Sequence, residues 1–155
     1  MENTTGYNTF NIEDSDSNIA QAGNTLLAKA GTVTVTGTSS VANATTISGF
    51  SKAVSYNISD TANNALATTT AAYNEAINIL ISGDITFAKA KALEDATNSG
   101  NITYTINDNS ENIAAGVTSD VAVLNAATTI TVSGTATFAQ AATIAGIAKS
   151  ITYSI

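Results

Sequence analysis

Apolar and polar residues alternate one by one in short bursts along the chain. Val54, Tyr56 and Ile58 fall on one side of such a burst, Ser55 and Asn57 on the other. Val33 and Val35 oppose Thr32, Thr34 and Thr36, and Ile130 and Val132 oppose Thr129, Thr131 and Ser133. A period of two with one apolar side predicts half-buried strands, because successive strand side chains point to opposite faces. Strands buried on both faces read as unbroken apolar runs. Only 78–83 departs from the alternation, with Leu80 on the otherwise polar side.

The stretches between bursts have room for a short helix and two turns. Phe138, Ala141, Ile144 and Ile147 recur every three residues, which predicts a helical stripe facing the core. Asp14, Asp60 and Asp108 follow one kind of strand; Thr38, Asp84 and Thr135 follow the other. All six are expected to cap helices, since such side chains accept the orphan N–H groups of a first turn. Asp108 and Glu111 have capping-box spacing.

The bursts are of two kinds, and each kind recurs. In the first, Phe10, Tyr56, Tyr104 and Tyr153 align, with Ile12, Ile58, Ile106 and Ile155 two residues on. Asp14, Asp60 and Asp108 follow, then Asn18, Asn64 and Asn112. The second kind reads TVTVTGT (32–38), NILISGD (78–84) and TITVSGT (129–135), aligning Gly37, Gly83 and Gly134. The two kinds alternate, and copies of one kind lie 46 to 51 residues apart.

This periodicity predicts an α/β repeat, a solenoid. About seven short strands form a parallel β-sheet, with short helices on one face, because crossovers of one hand place every helix on the same side. The alternative is a coil of about 48 residues with two stacked parallel sheets, one of Tyr-bearing and one of Gly-ended strands. Either way residues 1–155 form a single repeat domain of about three repeats, each two strand–helix units, with 1–6 a flexible N-terminal segment.

Composition narrows the chemistry. The net charge is −7, with five Lys and no Arg. That disfavours nucleic acid, whose phosphates need clustered cations, and anionic membrane surfaces. No apolar run reaches membrane-spanning length, so no membrane insertion is expected. MENTTGYNTF lacks the basic and apolar regions of a classical secretory signal. The chain has no Cys and no His, which excludes disulfides and Ser/His or Cys/His nucleophile systems. Phosphate-loop and dinucleotide motifs are absent, and the recurring Asp residues have a structural explanation. The expectation is that the chain is not an enzyme.

The segments YNISDTANNALA and GTATFAQAATIAG resemble repeats of very large bacterial surface and secreted proteins, generally adhesin-like. In those a SDTAANLA-like segment alternates with a VTGTATVAQA-like one. The resemblance covers residues 7–155 and implies a stalk or scaffold at the cell surface or outside the cell. It brings no catalytic residue, and no GGxGxD calcium repeat is present.

Three candidate sites remain. Asp14-Ser-Asp16-Ser-Asn18 mimics the first ligand positions of a calcium loop, but Ile19 stands where glycine is required and Thr25 where the bidentate Glu belongs. Calcium at Asp14 and Asp16 is thus a weak candidate beside a helix cap, and no other cofactor is indicated. The series Asn18, Asn64 and Asn112 is expected to bond backbone groups in turns. Thr32, Thr34, Thr36, Thr103, Thr105, Thr129 and Thr131 would project from the open sheet face. They are candidates for binding a glycan, ice or another surface, although Thr is also simply a good polar strand former.

The ends suggest the partner. The chain opens on a strand segment and stops inside one, with no capping helix at either side. The expectation is head-to-tail contact with flanking repeats or copies of itself, through Tyr7, Phe10 and Ile12 at one end and Ile151, Tyr153 and Ile155 at the other. The function expected is a structural or adhesive module, a stalk or filament subunit.

Overall fold

The computed structural model describes residues 10–155; the expected flexible segment 1–6 and Tyr7 lie outside them. Seven strands alternate with six helices: β1 (Phe10–Asp14), α1 (Asp16–Leu27), β2 (Ala30–Val35), α2 (Val41–Ile47), β3 (Ile58–Thr61), α3 (Ala71–Glu75), β4 (Ile79–Ile85), α4 (Phe87–Glu94), β5 (Ile102–Asn109), α5 (Ser110–Ala126), β6 (Ile130–Thr135), α6 (Phe138–Ile144) and β7 (Thr152–Ser154).

The strands form a two-stranded parallel sheet, β1-β2, and a five-stranded parallel sheet, β3-β4-β5-β6-β7. Isolated parallel bridges, Thr34 to Ser55 and Ser39 to Ile58, join the two along one edge. Order in space therefore follows order in sequence, and Tyr-bearing strands pair with Gly-ended ones: Ile58 with Ile79, Ile79 with Ile102, Ile106 with Ile130. This pairing overturns the 48-residue alternative, which would have put the two kinds in separate sheets. The turns flanking neighbouring strands bond one another through side-chain oxygens of residues 21 to 24 apart.

Consecutive helices touch, α1 with α2, α2 with α3, α4 with α5 and α5 with α6. A sheet would hold apart helices lying on its opposite faces, so the helices within each run share one. Their shared side covers the apolar sheet face. Val33, Val35, Val54, Tyr56, Ile58, Tyr104, Ile106, Ile130 and Val132 are all buried there, as the alternation requires. Leu80 faces out and is exposed.

Tyrosine sets the thickness of this core. Tyr56 Oη donates to the Ala72 carbonyl at 2.9 Å, and Tyr104 Oη to that of Val123 at 2.8 Å. The Tyr104 ring thus crosses from β5 to α5, and the Tyr56 ring from the segment just before β3 to α3, and each buried hydroxyl finds the partner that burial demands. Burial pushes both phenols far above their ordinary value, with Glu75 adding repulsion at Tyr56 and Glu94 at Tyr104.

The predicted stripe holds at three of its four positions. Ala141, Ile144 and Ile147 are buried, but Phe138 is 83% exposed. Its counterpart Phe87 shows why. Phe87 leans on Gly116 of the next helix, α5, where a Cβ would stand 2.7 Å from its ring. No helix follows α6 in the described chain, so Phe138 has nothing to lean on.

Candidate functional site

The recurring Asp and Gly residues build two different turns, and both differ from the expectation. Helix caps are supplied by Ser15, Ser40, Thr86, Asn109 and Thr137, each accepting the N–H three residues on. Thr70 stands at the cap position of α3 without such a bond. Asp14, Asp60, Asp108, Thr38, Asp84 and Thr135 are therefore not the caps. The capping box lies at Thr137 and Gln140, not at Asp108 and Glu111.

The three Asp residues act as clasps instead. Asp60 Oδ1 accepts the Thr61 N–H at 2.7 Å and Asn64 Nδ2 at 2.8 Å. Its Oδ2 accepts the Val41 N–H at 2.8 Å, the first of the preceding helix. Asp108 repeats the arrangement, with Asn109 N–H and Asn112 on Oδ1 and the Phe87 N–H at 2.9 Å on Oδ2. Asp14 repeats the local half, with Ser15 N–H and Asn18 on Oδ1; among the described residues its Oδ2 accepts nothing. Asn18, Asn64 and Asn112 thus brace the Asp of their own turn, correcting the expectation that they bond backbone groups.

Two residues after the Asp, the same turns reach forward. Asp16 Oδ2 accepts from Ser40 N–H at 3.1 Å, Asn43 Nδ2 at 2.7 Å and Ser39 Oγ at 3.4 Å. Ser110 Oγ meets Gln140 Oε1 at 3.3 Å. Burial raises the Asp16 carboxyl, but the bonds from Asn43, Ser40, Ser17 and Ser39 outweigh it and hold the group below its ordinary value. Asp60 is likewise lowered, its burial outweighed by Asn64 and the Val41 and Thr61 N–H groups. At Asp14 the Asn18 and Ser15 bonds do the same. The weak calcium candidates Asp14 and Asp16 each spend an oxygen on these partners. Among the described residues no three His, Cys, Asp or Glu side chains group to hold a metal ion.

The Gly turns are bulges. Leu80 pairs with Thr103 and Asp84 with Thr105, so β4 uses four residues where β5 uses two. Thr131 and Thr135 pair with Thr152 and Ser154 in the same way. Gly37, Gly83 and Gly134 take φ of 80°, 82° and 74° there, the left-handed region that only glycine enters without strain.

Most of the lysines bond within the chain. Lys52 donates to the Gly31 carbonyl at 2.7 Å, Lys89 to that of Ala62 at 2.6 Å, and Lys149 to that of Ala127. Lys91 pairs with Asp95 and Asp120. Four of the five Lys are thus bonded to a carbonyl or a carboxylate of the same chain.

The Thr candidates lie on the open face. Thr32, Thr36, Thr103, Thr129 and Thr131 are exposed, while Thr34 and Thr105 are half-buried. Thr105 Oγ1 donates to Asp84 Oδ1 at 2.7 Å. They do not make one array. Thr34 stands opposite Ser55, Leu80 opposite Ser59 and Thr103, and Asn107 opposite Thr131; only Thr131 and Thr152 face each other as Thr.

At the ends, Phe10 is 43% and Ile155 65% exposed, while Ile12, Ile151 and Tyr153 are half-buried. The structure gathers Phe10 and Ile12 on the β1 edge, and Ile151, Tyr153 and Ile155 at the β7 edge. Phe138 belongs to the second group, and the helical stripe concealed that. Among the described residues no helix is long and apolar enough to cross a membrane. No family model, no curated protein and no solved structure matches this chain.

Proposed function

We propose that the chain is a solenoid module of a structural or adhesive protein of the cell surface or extracellular space, one that extends end to end into a stalk or filament. The observation that supports this best is the open order of the strands. Within each sheet every strand pairs with the next in sequence, isolated bridges join β2 to the chain before and at the start of β3, and among the described residues β1 and β7 each have a strand neighbour on one side only. Unpaired edges are templates for further strands, and a head-to-tail contact that does not close grows as a fibre. The partners are copies of the same chain or flanking repeats.

The side-chain chemistry supports a scaffold rather than an enzyme. Asp60, Asp108, Tyr56, Tyr104 and four of the five Lys, groups that could act on a substrate, are bonded to neighbouring turns and helices. A binding module acting through the open face is the second reading, favoured by the exposure of Thr32, Thr36, Thr103, Thr129 and Thr131 and opposed by the broken Thr rows.

Light scattering across a concentration series, with negative-stain images of the same samples, tests the first reading. Growing mass and thin unbranched fibres are expected. A monomer at every concentration overturns self-assembly and directs attention to the Thr-bearing face.

A further inference from the structure

The Asp60 unit is built like the other two Asp units except for one half-helix. Helices α1 and α5 each run in two halves, broken at Gly23 and at Asp120. Counted from the Asp, residues 62–68 correspond to 16–22, the first half of α1, and Thr69 stands at the place of Gly23. Helix α3 supplies the second half. The first half is unwound into turns and bends.

Its first turn is closed all the same. Ala65 donates its N–H to the Thr61 carbonyl at 3.2 Å, as Ile19 does to that of Ser15 at 3.0 Å. Closing the first turn is the costly step in winding a helix, and each later bond follows at little cost. The next bond in line would run from the Leu66 N–H to the Ala62 carbonyl. Two side chains take its two halves instead. Tyr73 Oη accepts the Leu66 N–H at 2.7 Å, and Lys89 of α4 donates to the Ala62 carbonyl at 2.6 Å.

The core carries the same exchange. Leu27, Tyr73 and Leu124 stand six residues before Val33, Ile79 and Ile130, and all three are fully buried. Ile19, Ala65 and Ile113 stand five residues after their Asp, and they are buried too. This unit alone pairs a small residue with a Tyr, and a Leu in that place has no group to hold the Leu66 N–H.

The unwinding leaves a gap in the helix layer. α1 packs on α2 and α5 on α6, but α3 makes no comparable contact with α4. Between the unwound segment and α4 lies an open groove of about 260 Å³, lined by Ala67, Thr68 and Thr69 and by Ala88, Lys91 and Asp95 of the α4 side.

We propose that residues 62–70 are a strap with two settings. One is the open setting in the structure, latched by Tyr73 and Lys89. In the other, 62–68 wind into the missing half-helix and pack on α4 as α1 packs on α2, which closes the groove. Every part of the device lies between β3 and β5, so neither setting depends on end-to-end contact.

Two substitutions undo the latch and keep the core filled. Tyr73→Phe retains the ring and frees the Leu66 N–H; Lys89→Met retains the stem and frees the Ala62 carbonyl. Backbone NMR compares the double variant, Lys89→Met alone and the unaltered chain. It reads Cα shifts at 62–68 and hydrogen exchange at the Leu66 amide, which reports local opening; shifts in β4, β5 and β6 check the fold. In the double variant the 62–68 shifts are expected to move to helical values, with the Leu66 amide still protected because Ala62 now holds it. A folded double variant whose 62–68 shifts stay non-helical, with the Leu66 amide exchanging faster, overturns the strap. Should the double variant misfold, Lys89→Met decides alone: movement of the same shifts toward helical values is expected, and unmoved shifts overturn the strap.

Discussion

The turns led by Asp and the turns led by Gly solve the same problem, leaving the sheet for the helix layer, in opposite ways. The Gly turns are uniform. Each adds two residues to its strand, holds its glycine at a φ of 74° to 82°, and enters a helix of seven or eight residues. The Asp turns are followed by variable stretches. α1 has 12 residues with a break at Gly23, α3 only five, and α5 has 17 with a break at Asp120. What stays constant is the clasp, Asp to Asn four residues on, at 2.8 Å in all three. The difference teaches where this chain tolerates change. Backbone geometry fixes the Gly units, whereas side-chain bonds fix the Asp units, with a buried Tyr in those of Asp60 and Asp108, and leave the helix behind them free to vary.

The largest effect is expected from removing the Tyr that anchors an Asp unit. Tyr104→Ala should cost about 3–5 kcal/mol through the cavity and the orphaned Val123 carbonyl, read by urea unfolding. The same anchors make base the dangerous direction. Tyr56, Tyr73 and Tyr104 are raised from an ordinary value of 10.0, chiefly by burial. An unfolded phenol ionises above that value while the folded one stays protonated. Stability is therefore complete below about pH 10 and falls above it, by about 1.4 kcal/mol per pH unit for each such Tyr. A urea series from pH 8 to 11 measures it. Acid has a smaller lever. Asp14, Asp16 and Asp60 are lowered, so their contribution is present above an ordinary value of 3.8 and lost as pH falls below it.

Third comes the clasp. Asp108→Ala removes three bonds, one of them to the neighbouring helix, and should cost about 2–3 kcal/mol. Asp14→Ala, whose bonds are local and exposed, should cost distinctly less in the same assay. Equal losses would break the distinction between the local and the crossing half of the clasp. Gly83→Ala should cost about 1–2 kcal/mol, the penalty of a Cβ in the left-handed region. The smallest effect is expected on the open face. Thr131→Glu should change stability by less than about 0.5 kcal/mol; a larger loss would mean that this face is covered.

The alternation at Val33 and Ile130 placed β2 and β6, and at Tyr56 it gave the facing and the core but not the strand, since β3 begins only at Ile58 and Val54 and Tyr56 are buried beside an isolated bridge at Ser55. The parallel order followed from the lengths of the connections. The roles of the turn residues were hidden for a physical reason. Asp, Ser, Thr and Asn all cap helices well, so Asp14 and Ser15, or Asp108 and Asn109, compete for the cap on equal terms in sequence. At Asp60 and Asp108 the carboxylate is instead engaged by an N–H about 20 residues upstream, Val41 and Phe87, and local spacing carries no record of it. The lysine bonds to Gly31, Ala62 and Ala127 were hidden for the same reason. Phe138 misled because a helical stripe shows which residues face inward and not whether a neighbour is there to meet them.

Under the proposed end-to-end reading, parallel strands continue from subunit to subunit along the axis of an assembly. X-ray diffraction from an aligned, concentrated sample tests it most directly. A meridional reflection at about 4.8 Å is expected, from strands stacked along the fibre. Assemblies without that reflection, or with it on the equator, would contradict the account.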